Sequence, residues 1–160
     1  MSIFHLQGKW ATHEDKIIDL KELAGKPVVA AMVYTSCQHT CPLITSKVIS
    51  VRNSLPKKDQ SKVTYALFSI DSEGDTPEAL RRYKEKRNLD ENWILLTADK
   101  RSVRQLAGVL GVNYKKMPDG GFSHSNIITL IDEKGVIVTQ VNGLNADTSE
   151  LSKRMKSSLD

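Results

Sequence analysis

Two kinds of hydrophobic pattern take turns along the chain. "VVAAMVY", residues 28–34, is a continuous apolar run of strand length, as expected of a central strand covered on both faces. Behind it Ile44, Val48, Val51 and Leu55 recur at helical spacing until Pro56 stops them. "VTYALFSI" (63–70) is a second buried strand, followed by the loop "DSEGD". Thr76-Pro77-Glu78 then opens a helix with a capping residue, a proline and an acid in its first turn. The inner face of that helix is Ala79, Leu80 and Tyr83. "WILLT" (93–97) and a helix carrying Val103, Leu106, Ala107 and Leu110 repeat the alternation. "SNIITLI", the turn "DEKG" and "VIVTQVN" read as an antiparallel hairpin, and Leu151, Met155 and Leu159 mark a last helix.

The first 27 residues are less regular. "IFHLQGKWATHEDKIIDL" has short apolar runs broken by Gly8 and polar turns, as a small hairpin would, and "DLKELAGKP" predicts one helical turn stopped by Gly25. "GVNYKKMPDGGF" (111–122) reads as a loop, in which Gly120 and Gly121 leave the backbone free to move. Strand–helix alternation first, with a hairpin and helix last, is the order of a thioredoxin-like α/β fold: a central mixed sheet flanked by helices, with an N-terminal β-hairpin extension. No linker or internal repeat divides the 160 residues, so one domain is expected over 1–160.

Composition narrows the setting. The chain is 39% hydrophobic and 26% charged, as a globular domain is, and shows neither a membrane-span window nor a signal peptide, so a soluble fragment is expected. The net charge of +4 is spread over scattered lysines and arginines, and only 6% of residues are aromatic. That argues against nucleic-acid binding, which wants a basic stripe interleaved with aromatics.

The chemistry gathers in "VYTSCQHTCPLI" (33–44), which holds the chain's only two cysteines, Cys37 and Cys41. They fall at the carboxyl end of the predicted central strand, where open α/β sheets place their sites. Pro42 suits the first position of a helix, whose amino end stabilises thiolate over thiol. If both cysteines share one helical turn, their Cα atoms stand about 6 Å apart. That permits a disulfide or a shared metal and does not choose between them. A structural zinc site would want four protein ligands.

Of the four histidines, His5 and His13 are expected on the surface of the opening hairpin, and His39 is expected to face solvent. His124 stands between the glycine loop and a strand, where it can swing over the end of the sheet. Two thiolates and one imidazole form a soft, low-coordinate set suited to Cu(I).

The sequence resembles the Sco/SenC family of copper-binding assembly factors for cytochrome c oxidase. The pieces that carry the resemblance are "LAGKPVVAAMVYTSCQHTCPLI", "FSIDSEGDTPEALRRY", "WILLTADKRSVRQLAGVLGVNY" and "FSHSNIITLIDEKG", in the family's order and over nearly the whole chain. The resemblance implies that Cys37, Cys41 and His124 are copper ligands, for Cu(I) or Cu(II), and that Asp71 matches an aspartate near the family's site; read from the residues alone, Asp71 caps a strand-end turn. Gln38 stands where family members often have proline, and Ser123 where they often have aspartate, which bears on affinity, redox poise and partner choice.

The family's role implies a periplasmic or intermembrane-space setting, with an amino-terminal membrane anchor that is absent from this fragment. It implies a copper donor protein and, as acceptor, the CuA site of cytochrome c oxidase subunit II or another thiol-rich protein. The same cysteine pair would serve copper delivery or thiol–disulfide exchange. A thiol peroxidase is the rival reading from another class, and a copper or redox sensor is a third.

Overall fold

The computed structural model describes residues 2–36 and 40–160, with only the backbone given for Thr40 and Cys41. The apolar run forms strand β3, Val28–Val33, and all six of its residues are buried. Its neighbours explain this. On one side β3 pairs in parallel with β4 (Thr64–Ser69), and on the other it pairs antiparallel with β8 (Ile127–Ile131). A strand with partners on both edges and cover on both faces has no place for a polar side chain.

β4 pairs in parallel with β5, Trp93–Thr97, and β8 pairs antiparallel with β9, Ile137–Asn142. The N-terminal hairpin, β1 (Trp10–Thr12) with β2 (Ile17–Ile18), adds to the far edge through β1 and β5. The result is a seven-stranded mixed sheet of order β2-β1-β5-β4-β3-β8-β9. The expected hairpin is therefore part of the main sheet. The helical turn expected before β3 is a 3₁₀ turn, Leu20–Leu23, closed by a capping box between Asp19 and Glu22.

Among the described residues, four α-helices flank the sheet. α1, Thr40–Asn53, packs on β3 and buries Ile44, Val48 and Val51, with Leu55 buried just past its end. α2, Pro77–Lys86, packs on β5 and β1, its first turn capped by the Thr76 hydroxyl, which accepts from Ala79 N at 3.1 Å. α3, Lys100–Leu110, is capped by Asp99 and ends at Gly111, whose φ of 72° is a left-handed conformation that glycine adopts without a Cβ clash. α4, Ser149–Ser157, lies against β9 and buries Leu151 and Met155. Aromatic edge-to-face packing of Trp10 on Phe68, with ring centroids 5.2 Å apart, fills the core near β1 and β4.

Three expectations need correction. Helix α1 starts at Thr40, so Pro42 is its third residue and not its first. Proline is tolerated there because the amides of the first helical turn have no intrahelical acceptor. Residues 111–122 are not a plain loop: β6, Tyr114–Lys116, pairs antiparallel with β7, Phe122–His124, as a separate two-stranded hairpin. His13 is buried, because the β1–β5 pairing draws it in beside Leu95. Its Nδ1 accepts the Leu95 N–H at 3.2 Å, which leaves the ring proton on Nε2. No helix among the described residues is long and apolar enough to cross a membrane.

Candidate metal centre

The candidate centre lies where β3 runs out and α1 begins. Cys41 falls in the first turn of α1, where free N–H groups and the positive end of the helix dipole favour a thiolate. Cys37 and His39 lie outside the described residues, and so do the expectations of a shared helical turn and of a solvent-facing His39.

Tyr34 is buried at 8% exposure, and its hydroxyl donates to the carbonyl of Phe122 at 3.1 Å. Its ring meets Phe122 edge-on at 5.3 Å between centroids and His124 at 6.0 Å, with an interplanar angle of 80° to the imidazole. Tyr34 stands three residues ahead of Cys37, so this one side chain joins the cysteine segment to the histidine strand. Gly121 eases the approach: a Cβ there would stand 3.2 Å from the Tyr34 hydroxyl, a tight contact that a small shift would have to relieve.

His124 ends β7, opposite Tyr114, and its Nδ1 lies 2.9 Å from the Ser125 carbonyl. If Nδ1 carries the proton, that bond orients the ring and leaves Nε2 with the lone pair, as a backbone carbonyl does for histidines that ligate metals. The turn of the hairpin is itself hydrogen-bonded, with Met117 N donating to Gly121 O at 2.8 Å and Gly121 N to the Asp119 carboxylate at 2.9 Å. Gly120 sits in that turn at a φ of 90°. The imidazole is thus carried on a short β-ribbon and not on a loose loop.

Asp75 is the buried polar residue that the sequence reading missed. It is 3% exposed and accepts from Thr35 N at 3.1 Å, from the Thr35 hydroxyl and from the Ser69 hydroxyl at 2.6 Å. Burial pushes its carboxyl up from the ordinary aspartate value, against the opposing pull of the hydrogen bonds from Ser69 and Thr35. The carboxylate ties the end of β4 to the residue two positions before Cys37. Asp71 has the other role that its sequence allowed: its Oδ1 accepts from Gly74 N at 2.9 Å, capping the turn after β4. The only sequence signal for Asp75 was its place just before Thr76, where an N-terminal helix signature drew attention to the cap instead.

The sheet order and the parallel β3–β4–β5 core, flanked by helices, define a thioredoxin-like α/β protein. The family described as SCO1/SenC matches residues 5–160, and the chain belongs to that family. An SCO1 protein homologue of Bacillus subtilis is 26% identical over 135 residues, which are 82% of this chain and 69% of that protein. A SCO1/SenC family lipoprotein from Bacillus anthracis is 25% identical in its crystal structure, with a TM-score of 0.85 over 99% of this chain and 96% of that one. The copper-bound structure of ScoI from Bradyrhizobium japonicum is 27% identical, with a TM-score of 0.78 over 94% of this chain and 96% of that one.

Proposed function

We propose that this protein binds copper through Cys37, Cys41 and His124 and acts as a metallochaperone in assembly of the CuA centre of cytochrome c oxidase. The observation that carries the reading is the Tyr34 contact, which brings the His124 strand against the segment leading into Cys37. The donor set fits the metal: thiolate sulfur and imidazole nitrogen are the soft ligands that select Cu(I) over harder cations. Family membership and the copper-bound ScoI relative support the same cargo.

Each residue's part follows from its place. Cys41 lies in the first turn of α1, and the amino end of a helix favours thiolate over thiol. The Ser125 carbonyl orients the imidazole, and Asp75 fixes the approach to Cys37 through Thr35. Copper is the cargo, and it leaves by ligand exchange when an acceptor's thiolates replace those of the pair. The acceptor is the CuA site of subunit II or another thiol-rich copper protein, and a copper donor protein charges the pair. The setting is the periplasmic or intermembrane-space face, with the full-length protein held at the membrane by an anchor, as the lipoprotein relative suggests.

The pair also has a redox form. Loss of two electrons and two protons from Cys37 and Cys41 to an oxidised partner disulfide makes the intramolecular disulfide and leaves the partner as a dithiol. One thiolate attacks the partner's disulfide, and the other resolves the mixed disulfide.

Anaerobic Cu(I) loading of the reduced protein, followed by metal analysis against a competing chelator, tests the reading. Wild type is expected to retain one copper per chain. Cys37→Ala and Cys41→Ala are expected to lose more than about 100-fold in affinity, beyond the 10–100-fold typical of losing an outer hydrogen-bonding partner. Retention of copper by either cysteine variant at the wild-type level would overturn it.

A further inference from the structure

A cleft of ≈ 530 Å³ opens directly beside the cysteine segment, lined by Thr35, Ser36, Pro42, Tyr83 and, along α2 and just past its end, Arg82, Lys86 and Arg87. In sequence, Thr35 and Ser36 precede the cysteine pair and Pro42 follows Cys41. Its charge is one-sided. Three cations line it, and no acidic side chain does so among the described residues.

Ion pairs elsewhere in the fold join Lys9 to Asp19, Arg52 to Asp90, Lys62 to Asp59, and Lys100 and Lys116 to Glu73. Arg82, Lys86 and Arg87 make no ion pair among the described residues. Arg87 is half-buried. Its guanidinium stacks over the Tyr83 ring at 5.2 Å, and its buried Nε makes no hydrogen bond among the described residues. Tyr83 in turn is fixed by Thr45 of α1, with the two hydroxyls 2.9 Å apart. A guanidinium held on an aromatic face at the wall of a cleft is a preorganised donor for carboxylate.

We infer that this cleft docks an extended acidic segment of the protein that exchanges copper or electrons with the cysteine pair. The occupant follows from charge complementarity and spacing. Arg82 and Lys86 are one helical turn apart, about 6 Å along the axis. Alternate side chains of an extended peptide lie on one side, about 7 Å apart. An acidic residue at every second position therefore meets one cation after another, with its backbone running past Ser36 and Pro42. A concave site with a half-buried arginine favours a peptide over a lipid surface, which would engage exposed lysines on a convex face. The inference rests on the copper-exchange reading only for the purpose of docking, since the charge pattern stands by itself.

The test uses a fluorescent, end-blocked hexapeptide with glutamate at alternate positions and the same peptide with glutamine. Binding to the whole protein is followed by anisotropy and by backbone amide shifts. The glutamate peptide is expected to bind, to shift residues 35–36 and 82–87, and to weaken steeply between low and moderate salt; the glutamine peptide is expected not to bind. Arg82→Gln with Lys86→Gln should weaken binding by about tenfold or more. That pair leaves Arg87 and its aromatic contact in place, so the variant keeps its fold, and adding Arg87→Gln should abolish what remains.

Cu(I) loading is measured on the same samples and is expected to be unchanged by the double substitution. Absence of peptide binding, equal affinity in the double variant, or shifts confined to another face would overturn the cleft inference. So would vesicles of anionic phospholipid that bind through the same residues while the peptide does not. Failure of wild type to hold Cu(I) would instead overturn the copper reading, whatever the peptide does.

Discussion

The cysteine segment and the histidine strand reach the same corner of the molecule on different footings. The cysteine side grows out of the most buried strand of the sheet. It is tied by Asp75 at Thr35 and continues into α1, whose Ile44 and Thr45 are 1% exposed. The histidine side is a two-stranded ribbon in which no residue is fully buried; Tyr114 and Phe122 only partly bury themselves against the core. Its described link across to the cysteine segment is Tyr34. Elements with little buried apolar surface open locally at lower free energy than the core does. The contrast teaches a division of labour. The scaffold fixes the chain leading into Cys37, and the His124 imidazole is carried on a part that opens more easily than the sheet.

Removing the anchor on the cysteine side should have the largest effect on the fold. Asp75→Ala leaves two Thr35 donors and the Ser69 hydroxyl without their acceptor in a buried place, and is expected to destabilise the protein by about 3 kcal/mol. Urea unfolding measures it, and a change within 0.5 kcal/mol, the ordinary range of surface substitutions, would remove Asp75 from the account. Because burial raises the Asp75 carboxyl, the folded state favours the protonated form. Its contribution to stability is therefore greatest below the ordinary aspartate value of 3.8 and declines as pH rises through the folded value.

On the histidine side the effect should be smaller and local. Tyr34→Phe keeps the ring contacts and loses one hydrogen bond to the Phe122 carbonyl, about 1 kcal/mol. Amide exchange should quicken in residues 114–116 and 122–124 while the β3–β4 ladder keeps its protection. Uniform acceleration across both regions would mean that the ribbon does not open independently of the sheet.

Much of this contrast was legible in the sequence, and the exceptions have physical causes. β3, β4, β5 and β8 are long apolar runs, and the inner positions of α1 and α3 keep helical spacing, so their burial was readable directly. β6 and β7 are three residues each, and Lys115 and Lys116 gave β6 no apolar alternation to detect. His13 looked like a polar residue of a surface hairpin because nothing local announces that β1 will pair with β5, some eighty residues away. Asp75 was hidden for the same reason: its partners Thr35 and Ser69 come together only when β3 and β4 pair. The candidate ligands themselves were readable by residue type and spacing. What joins them, the reach of Tyr34 across to Phe122 and His124, was not.

The smallest expected effect lies away from this corner and serves as a control on it. Burial, aided by the charge of Lys84, lowers the His13 imidazole below its ordinary 6.5. The unfolded chain therefore takes up the proton first, so this residue's contribution to stability is full above pH 6.5 and is lost as pH falls through the folded value. His13→Gln should flatten the fall in urea midpoint between neutral and mildly acidic pH without changing copper binding. An unchanged pH profile in the variant would show that the proton is taken up elsewhere.

The central claim is that the thiols of Cys37 and Cys41, with His124, form the copper site. It is tested most directly by titrating Cu(I) into fully reduced and fully oxidised protein side by side, without added reductant. In the oxidised form neither cysteine offers a thiolate, and His124 with weak donors is too small a set for a soft metal. The account predicts one tightly held Cu(I) in the reduced protein and no tight binding in the oxidised one. Comparable affinity in both forms would place the metal elsewhere and contradict the account.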